Sequence, residues 1–421
     1  MIGTQVGSPT ARRRTARVFP AFVITAALLV TGAACDQAPT RPAPPAAGAS
    51  PATAGGTTAR SRGTAALSGA TAAPSGGALS VLSASFVSPS AGWLLATPCP
   101  SCRTVVMRKT TDGGRTWTAV PAPDAPPADQ STPPATAVGT ILFTSARTGW
   151  AFGPALWQTG DGGGTWRKMS VPGPVRDLAA AGNRVLAVTN RCGASTGAST
   201  GACRFQVYSA ALGSDDWRAV PGAAGSDDQQ AVPGAVGPGS ARLVVSDGVG
   251  YVFAVAAGQG RPVLLAGPVN GSARWRPVPD PCVAASSGAL AAAPGGWLFL
   301  GCGGEPGVGE QVKAAWLSGN GGHSWHQVAR PPSGGYLGGA SMSSGGTIFL
   351  FGARMNLYVS PDRGRGWLSP TLPNAAGGAG FPLTGLVITG TRGFAFEAGL
   401  EQQQVWLTSD GGRRWTAVTV R

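Results

Sequence analysis

A Trp-terminated turn recurs seven times along this chain at near-constant spacing, and that recurrence limits the fold more than any other feature. Five copies are clear: TTDGGRTW ending at Trp117, TGDGGGTW at Trp166, SGNGGHSW at Trp325, SPDRGRGW at Trp367 and TSDGGRRW at Trp415. Two weaker copies, ALGSDDW ending at Trp217 and PVNGSARW ending at Trp275, fill the gap between the second and third. Successive Trp lie 49, 51, 58, 50, 42 and 48 residues apart. A unit of that length holds one four-stranded propeller blade.

Five residues before each Trp stand Asp112, Asp161, Leu212, Asn270, Asn320, Asp362 and Asp410. Three before it stand Gly114, Gly163, Ser214, Ser272, Gly322, Gly364 and Gly412. This is the chemistry of a tight hairpin, in which an Asx side chain accepts backbone N–H groups and Gly supplies positive φ. The Trp then opens the next strand and is expected to pack beneath its own turn.

Upstream of the turns runs a second signature, a Gly followed by an aromatic or β-branched run: GWLLA at Gly92, GWAFG at Gly149, GYVFAV at Gly250, GWLFLG at Gly296, GTIFLFG at Gly346 and GFAFEAG at Gly393. Near-continuous apolarity over so short a run marks a strand buried on both faces, here between neighbouring blades. Nine residues before the Trp, five of seven positions are aromatic: Trp157, Tyr208, Trp316, Tyr358 and Trp406. A row of sugar-stacking rings would look like this, but its repetition favours packing between blades. The 58-residue interval has its own cause, since GSDDWRAVPGAA at 213–224 is followed by GSDDQQAVPGAV at 225–236. A 12-residue duplication that has lost its Trp to Gln229 predicts an exposed loop rather than an added strand.

With 66 Gly, 36 Pro, 12% charged residues and no long stripe of period 3.6, the chain reads as all-β. We therefore expect a seven-bladed β-propeller of four-stranded antiparallel blades over residues 78–421, the Asx turn joining third and fourth strands. Its blades are sequence-continuous, so the ring should close by packing without a swapped strand.

The turn resembles the Asp box, or bacterial neuraminidase repeat. That resemblance makes Asp112, Gly114, Trp117, Asp161, Gly163, Trp166, Asn320, Gly322, Trp325, Asp362, Gly364, Trp367, Asp410, Gly412 and Trp415 structural, with Trp217, Asn270 and Trp275 as degenerate copies. Sialidases carry such boxes but also need an arginine triad, a Tyr nucleophile with a Glu partner, and an Asp acid/base. This chain has no Arg-Ile-Pro motif, only four Tyr (208, 251, 336 and 358) and only four Glu (305, 310, 397 and 401). Over the whole region 78–421, Gly-Trp followed by Thr-Asp-Gly-Gly-Arg-Thr-Trp is similar to the photosystem II assembly and stability factor family. Those are seven-bladed, non-enzymatic propellers that bind partner proteins, so the resemblance implies a scaffold and a binding role.

The N-terminus is organised differently. Arg12, Arg13, Arg14 and Arg17 precede an apolar stretch from Phe19 to Val30, a basic-then-apolar export signal too short to span a bilayer comfortably. Thr31-Gly32-Ala33-Ala34-Cys35 resembles a bacterial lipobox with Gly32 at an unusual place, which implies lipidation of Cys35; an ordinary cleaved signal is the alternative. Residues 1–35 thus form the signal, and residues 36–77, rich in Ala, Pro, Gly, Ser and Thr, form a tether too poor in large apolar groups to fold. The expected place is the outer face of the cytoplasmic membrane, anchored by lipid, in a GC-rich bacterium given 29 Arg against 3 Lys.

The net charge is +14, and removing residues 1–35 takes away four Arg and no acid, leaving +10. Such a surface suits anionic headgroups or wall polymers; export and the lack of a reading motif argue against nucleic acid. Setting Cys35 aside, six Cys fall into neighbouring pairs, Cys99 with Cys102, Cys192 with Cys203 and Cys282 with Cys302, which read as local disulfides in an oxidising compartment. Cys-Pro-Ser-Cys at 99–102 also matches a redox motif or half a metal site, but lacks a βαβ context or a second matching pair.

No catalytic, cofactor-binding or metal-binding constellation is apparent. His323 and His326, the only His, flank one turn without a carboxylate or Cys neighbour. Gly-Ala-Ser-Thr-Gly at 193–197 matches a nucleophile elbow but lacks a His partner and a strand-to-helix turn. The function expected is that of a monomeric, non-enzymatic, envelope-tethered scaffold that binds a protein or glycan through one propeller face; the alternative is a divergent sialidase-like glycoside hydrolase.

Overall fold

A meander of short strands leaves two apolar faces bare, so each such unit needs a neighbour on either side. The computed structural model meets that need with seven antiparallel meanders set around a ring as a β-propeller, with 27 strands and no helix among the described residues. The structure describes residues 79–99, 101–128, 134–192, 203–224, 241–254, 262–282, 285, 287–352, 357–374, 383–397 and 404–421. The signal with Cys35, the tether, the Gly-Ala-Ser-Thr-Gly match and the second copy of the duplication at 225–236 lie outside them.

Strands follow sequence order within every blade. Blade 1, for example, is Ser80–Phe86, Gly92–Thr97, Val106–Thr110 and Thr118–Val120, each antiparallel to the next. Blade 6 departs from the pattern: it has three strands, Leu337–Met342, Ile348–Gly352 and Leu357–Ser360. Its fourth shrinks to one bridge in which Val359 and Leu368 exchange hydrogen bonds of 2.9 and 2.8 Å.

Seven apolar clusters form, one at each blade-to-blade interface. Second strands feed two of them at once, because successive side chains point to opposite faces. In blade 1, Trp93 and Leu95 enter the core shared with blade 2, while Leu94 and Ala96 enter the core shared with blade 7. All four are 0% exposed, which explains why these strands read as unbroken apolar runs. The third-strand aromatics serve packing as expected: Trp157, Tyr208, Trp316, Tyr358 and Trp406 each join the core shared with the preceding blade.

Side chains on the innermost strands add polar stitches between blades. Ser83 and Ser85 of blade 1 accept the amides of Ile141 and Phe143 in blade 2, at 3.1 and 2.8 Å. Asp177 of blade 3 accepts Leu243 N–H of blade 4 at 2.9 Å, and Ser246 of blade 4 donates to Ala293 O of blade 5 at 2.7 Å. These bonds satisfy inner-strand backbone groups that have no sheet partner across the blade boundary. Blade 7 builds its sheet from its own four strands, and the ring closes where Leu79, Val81 and Leu94 meet Phe394, Phe396, Val405 and Val420.

An antiparallel meander puts its first and third turns at one edge and its second turn, with the link to the next blade, at the other. The Asx turns therefore occupy one rim of the ring. The second-to-third-strand loops and the inter-blade linkers occupy the opposite rim.

Candidate binding surface

On the first rim the polar groups are consumed by their own turns. Asp112 accepts the amides of Arg115 and Thr116, both at 2.9 Å, and the Thr116 hydroxyl at 2.6 Å. The hydroxyl bond first, then the amides, hold its carboxyl well below the usual range, and Asp161 is lowered likewise by the amide and hydroxyl of Thr165. Asn320 repeats the pattern without a charge, accepting Ser324 N–H at 3.0 Å. Asp362 accepts Gly366 N–H, and Asp410 the amides of Arg413 and Arg414.

The sequence reading missed one member of this turn. Two residues before each Asx stands a buried hydroxyl, Thr110, Thr159, Ser318, Ser360 or Thr408, which donates to the Asx side chain and accepts the amide of the second Gly. The constant Ser or Thr at that spacing was the available signal.

The Trp residues divide in two. Trp117 and Trp415 donate to Gly114 O and Gly412 O of their own turns, as expected. Trp166, Trp325 and Trp367 instead donate to Pro121 O, Pro279 O and Ala329 O, carbonyls that leave the preceding blade. The turn is thus a clamp between blades as well as a hairpin. In the degenerate copies, Asn270 accepts Ser272 N–H and Trp275 is 1% exposed, while Trp217 stays buried without an Asx partner. There Asp215 takes over, bonding Ser170 N–H and pairing with Arg167 of blade 2 at 3.1 Å. His323 Nδ1 lies 2.7 Å from Asn320 O within its turn, and His326 lies exposed on the following strand.

The opposite rim carries the features that no turn consumes. Cys99 is bonded to Cys102 in the second-to-third-strand loop of blade 1, and Cys282 to Cys302 between the linker into blade 5 and its second strand. Cys192 and Cys203 stand opposite each other in the backbone register, their side chains outside the described atoms. At the start of the inner strands burial lowers Arg176 and raises Asp177, the latter against the pull of Arg242.

Among the described residues, blade 5 is the most elaborated part of this rim. Lys313 is 3% exposed, and its ammonium donates to the carbonyls of Pro332, Ser333, Gly334 and Gly335 at 2.9–3.1 Å and of Gln311 at 3.3 Å. Burial pushes it down to about 8, opposed by Glu310. The linker into blade 6 is thus wrapped around one cation. The strand that carries Lys313 also lines a groove of about 230 Å³, shared by Pro281, Cys282 and Ala285 of the linker into blade 5, by Cys302, and by Val312, Ala314 and Trp316. Val312 on its wall is 61% exposed and Val308 at the loop tip fully exposed, two of the three exposed large apolar residues among those described.

Among the described Tyr and Glu residues, Tyr336, Tyr358 and Glu310 are engaged with loop and linker groups. Tyr358 is raised by burial and then by Glu310, but its hydroxyl donates to Gly334 O at 2.9 Å and Glu310 takes the Ser333 hydroxyl at 3.3 Å. Tyr336 donates to Gly307 O, holding the loop tip. Glu397, 1% exposed at the end of the second strand of blade 7, is raised by burial, and neither of its oxygens has a hydrogen-bond partner among the described residues. Glu401 lies outside the described residues. Among the described residues no three His, Cys, Asp or Glu converge on a metal site.

These observations define a seven-bladed β-propeller with one structural rim and one loop-rich rim. No family model matches the chain, and no curated protein matches it. Solved propellers do match: YCF48 bound to a D1 peptide is 18% identical with a TM-score of 0.50, over 77% of this chain and 92% of that one. YCF48 from Cyanidioschyzon merolae is 17% identical with a TM-score of 0.50, over 80% and 96%. A prolyl endopeptidase is 11% identical with a TM-score of 0.52, over 82% of this chain and 50% of that one. At such identities the likeness is one of fold.

Proposed function

We propose that this chain is a non-enzymatic binding or assembly scaffold, tethered at the cell envelope through Cys35, that holds a segment of a protein partner on its loop-rich rim. The observation that carries the reading is the blade 5 groove with Val312 exposed on its lining, together with Val308 exposed in the second-to-third-strand loop of that blade. An apolar groove with an exposed branched residue on its lining suits the side chains of a protein segment. The similar propeller solved with a D1 peptide supports a peptide segment as the ligand class. Against glycoside hydrolysis stands the engagement of Tyr358 and Glu310 with linker groups, since that chemistry needs paired groups free to meet a sugar.

The test is capture of partners from the native envelope by the tethered protein and by V308D and V312D variants, with sialoside hydrolysis measured on the same material. The expected result is a stoichiometric protein partner lost in both variants at unchanged melting temperature, with no turnover. Partner capture indifferent to both substitutions, or hydrolysis abolished by altering Glu310 or Tyr358, would overturn it.

A further inference from the structure

The two disulfides on the loop-rich rim are built for different purposes. Cys282 and Cys302 are 2% and 7% exposed, lie in the core shared by blades 4 and 5, and tie a linker to a strand 20 residues away. Cys99 and Cys102 are partly exposed, are separated by three residues, and close a turn that Cys102 N–H already closes by donating to Cys99 O at 3.1 Å. A cross-link over so short a loop removes little chain entropy, and here a backbone bond duplicates it. The Cys99–Cys102 bond therefore adds little to the fold, while its sulfurs can be reached by a thiolate.

The chemistry around it is asymmetric. The Ser101 hydroxyl lies 3.6 Å from Cys99 Sγ and can donate to it, which stabilises negative charge on that sulfur. Arg103 follows Cys102 directly and is exposed. The sulfur that accepts a hydrogen bond, Cys99 Sγ, is the better leaving group.

We infer that Cys99–Cys102 is a thiol–disulfide exchange site that accepts two electrons from a dithiol-bearing partner, while Cys282–Cys302 stays closed. A thiolate of the partner attacks Cys102 Sγ; the bond to Cys99 Sγ breaks, and its electron pair leaves on Cys99, which takes a proton. The partner's second thiolate then attacks its own sulfur in the mixed disulfide and releases Cys102, which takes the second proton. The partner ends as a disulfide and this chain as a dithiol. The turn hydrogen bond and the strands on either side keep the loop in place when the bond is open.

The experiment equilibrates the full chain in dithiothreitol buffers of graded oxidised-to-reduced ratio at pH 7, alkylates the free thiols and locates them by mass. Cys99 and Cys102 should become alkylated at a ratio at least tenfold more oxidising than Cys282 and Cys302 require, with Trp fluorescence unchanged. Oxidised glutathione should capture C99S at Cys102, and under dithiothreitol S101A should open Cys99–Cys102 several-fold more slowly than the unaltered chain without a change in melting temperature. Opening of both disulfides together, or of Cys99–Cys102 only as the fold is lost, would overturn the inference.

Discussion

The amide of Leu79 donates to the carbonyl of Val420 at 3.0 Å, joining the strand that opens blade 1 to the one that completes blade 7. Val420 is 0% exposed and packs with Leu79, Val81 and Leu94, so this seam rests on apolar contact, one backbone bond and the bonds of Arg108 to Arg421 O and of Arg392 to Pro89 O rather than on a shared sheet. Val420→Ala should cost about 2 kcal/mol through the cavity it leaves. Urea denaturation followed by Trp fluorescence measures it, and an unchanged midpoint would mean that the seam does not hold the ring.

Lys313 makes a second prediction. Replacing it by Met removes the donor that serves Pro332, Ser333, Gly334 and Gly335 and leaves buried carbonyls unpaired, at about 1–3 kcal/mol for each group that water cannot reach. The expected outcome for K313M is a loss of stability on the order of 3 kcal/mol, with hydrogen exchange accelerated first in residues 330–336. Exchange spread evenly over all seven blades would count against a local clamp.

Arg363 is the residue at the first left-handed position of its Asx turn, where Asp112, Asp161, Asn320 and Asp410 are followed by Gly. Its φ is 58°, and its guanidinium lies 4.6 Å from the Trp297 ring of blade 5. Left-handed backbone costs a side chain roughly 1 kcal/mol, and the ring contact returns about as much. Hence R363G should be nearly neutral, whereas R363A, which keeps the backbone strain and loses the ring, should be about 1 kcal/mol worse. At the next residue, Gly364, φ is 86° and an added Cβ would sit 2.6 Å from Val328 Cβ. G364A should therefore cost about 2 kcal/mol or more. Thermal melts of the three variants decide the order.

The Asx turns give the protein an acid limit. Asp112, Asp161 and Asp362 are all lowered in the folded chain by hydrogen bonds, from Thr116, Thr165 and Ser360 in the first place. A carboxyl depressed by folding leaves the unfolded chain binding more protons, so its stabilisation is complete above about pH 4 and fades as pH falls below that. The D112N, D161N and D362N triple variant should unfold with a shallower dependence on pH between 4 and 2, since Asn320 shows that an amide can serve the same turn. An identical acid limb in wild type and variant would refute the linkage.

The ring was legible because its information is local and repeated. The spacing of Trp117 through Trp415 gives the blade count, and the runs at Gly92, Gly149 and Gly393 mark strands that must be buried on both sides. The hydroxyls at Thr110 and its equivalents are less legible, because Ser and Thr are common at the ends of strands and only the fold shows that the hydroxyl is the buried member of the pair. The blade 5 groove was not legible at all. It arises where the linker at Pro281–Ala285 meets a strand more than 25 residues later, and nothing in either segment announces the space between them. The Lys313 cage is hidden for the same reason: a lone Lys in sequence gains its meaning from four linker carbonyls about twenty residues away.

Because the seam between Leu79 and Val420 resembles every other blade boundary in kind, order along the polypeptide and order around the ring are separable. A permuted gene that joins residue 421 to residue 79 through a short linker, and opens the chain in the linker between blades 3 and 4, would specify the same circle read from another origin. That linker already holds the second copy of a 12-residue duplication. By strand order, a change of length in any inter-blade linker falls on the rim opposite the Asx turns and leaves those turns undisturbed.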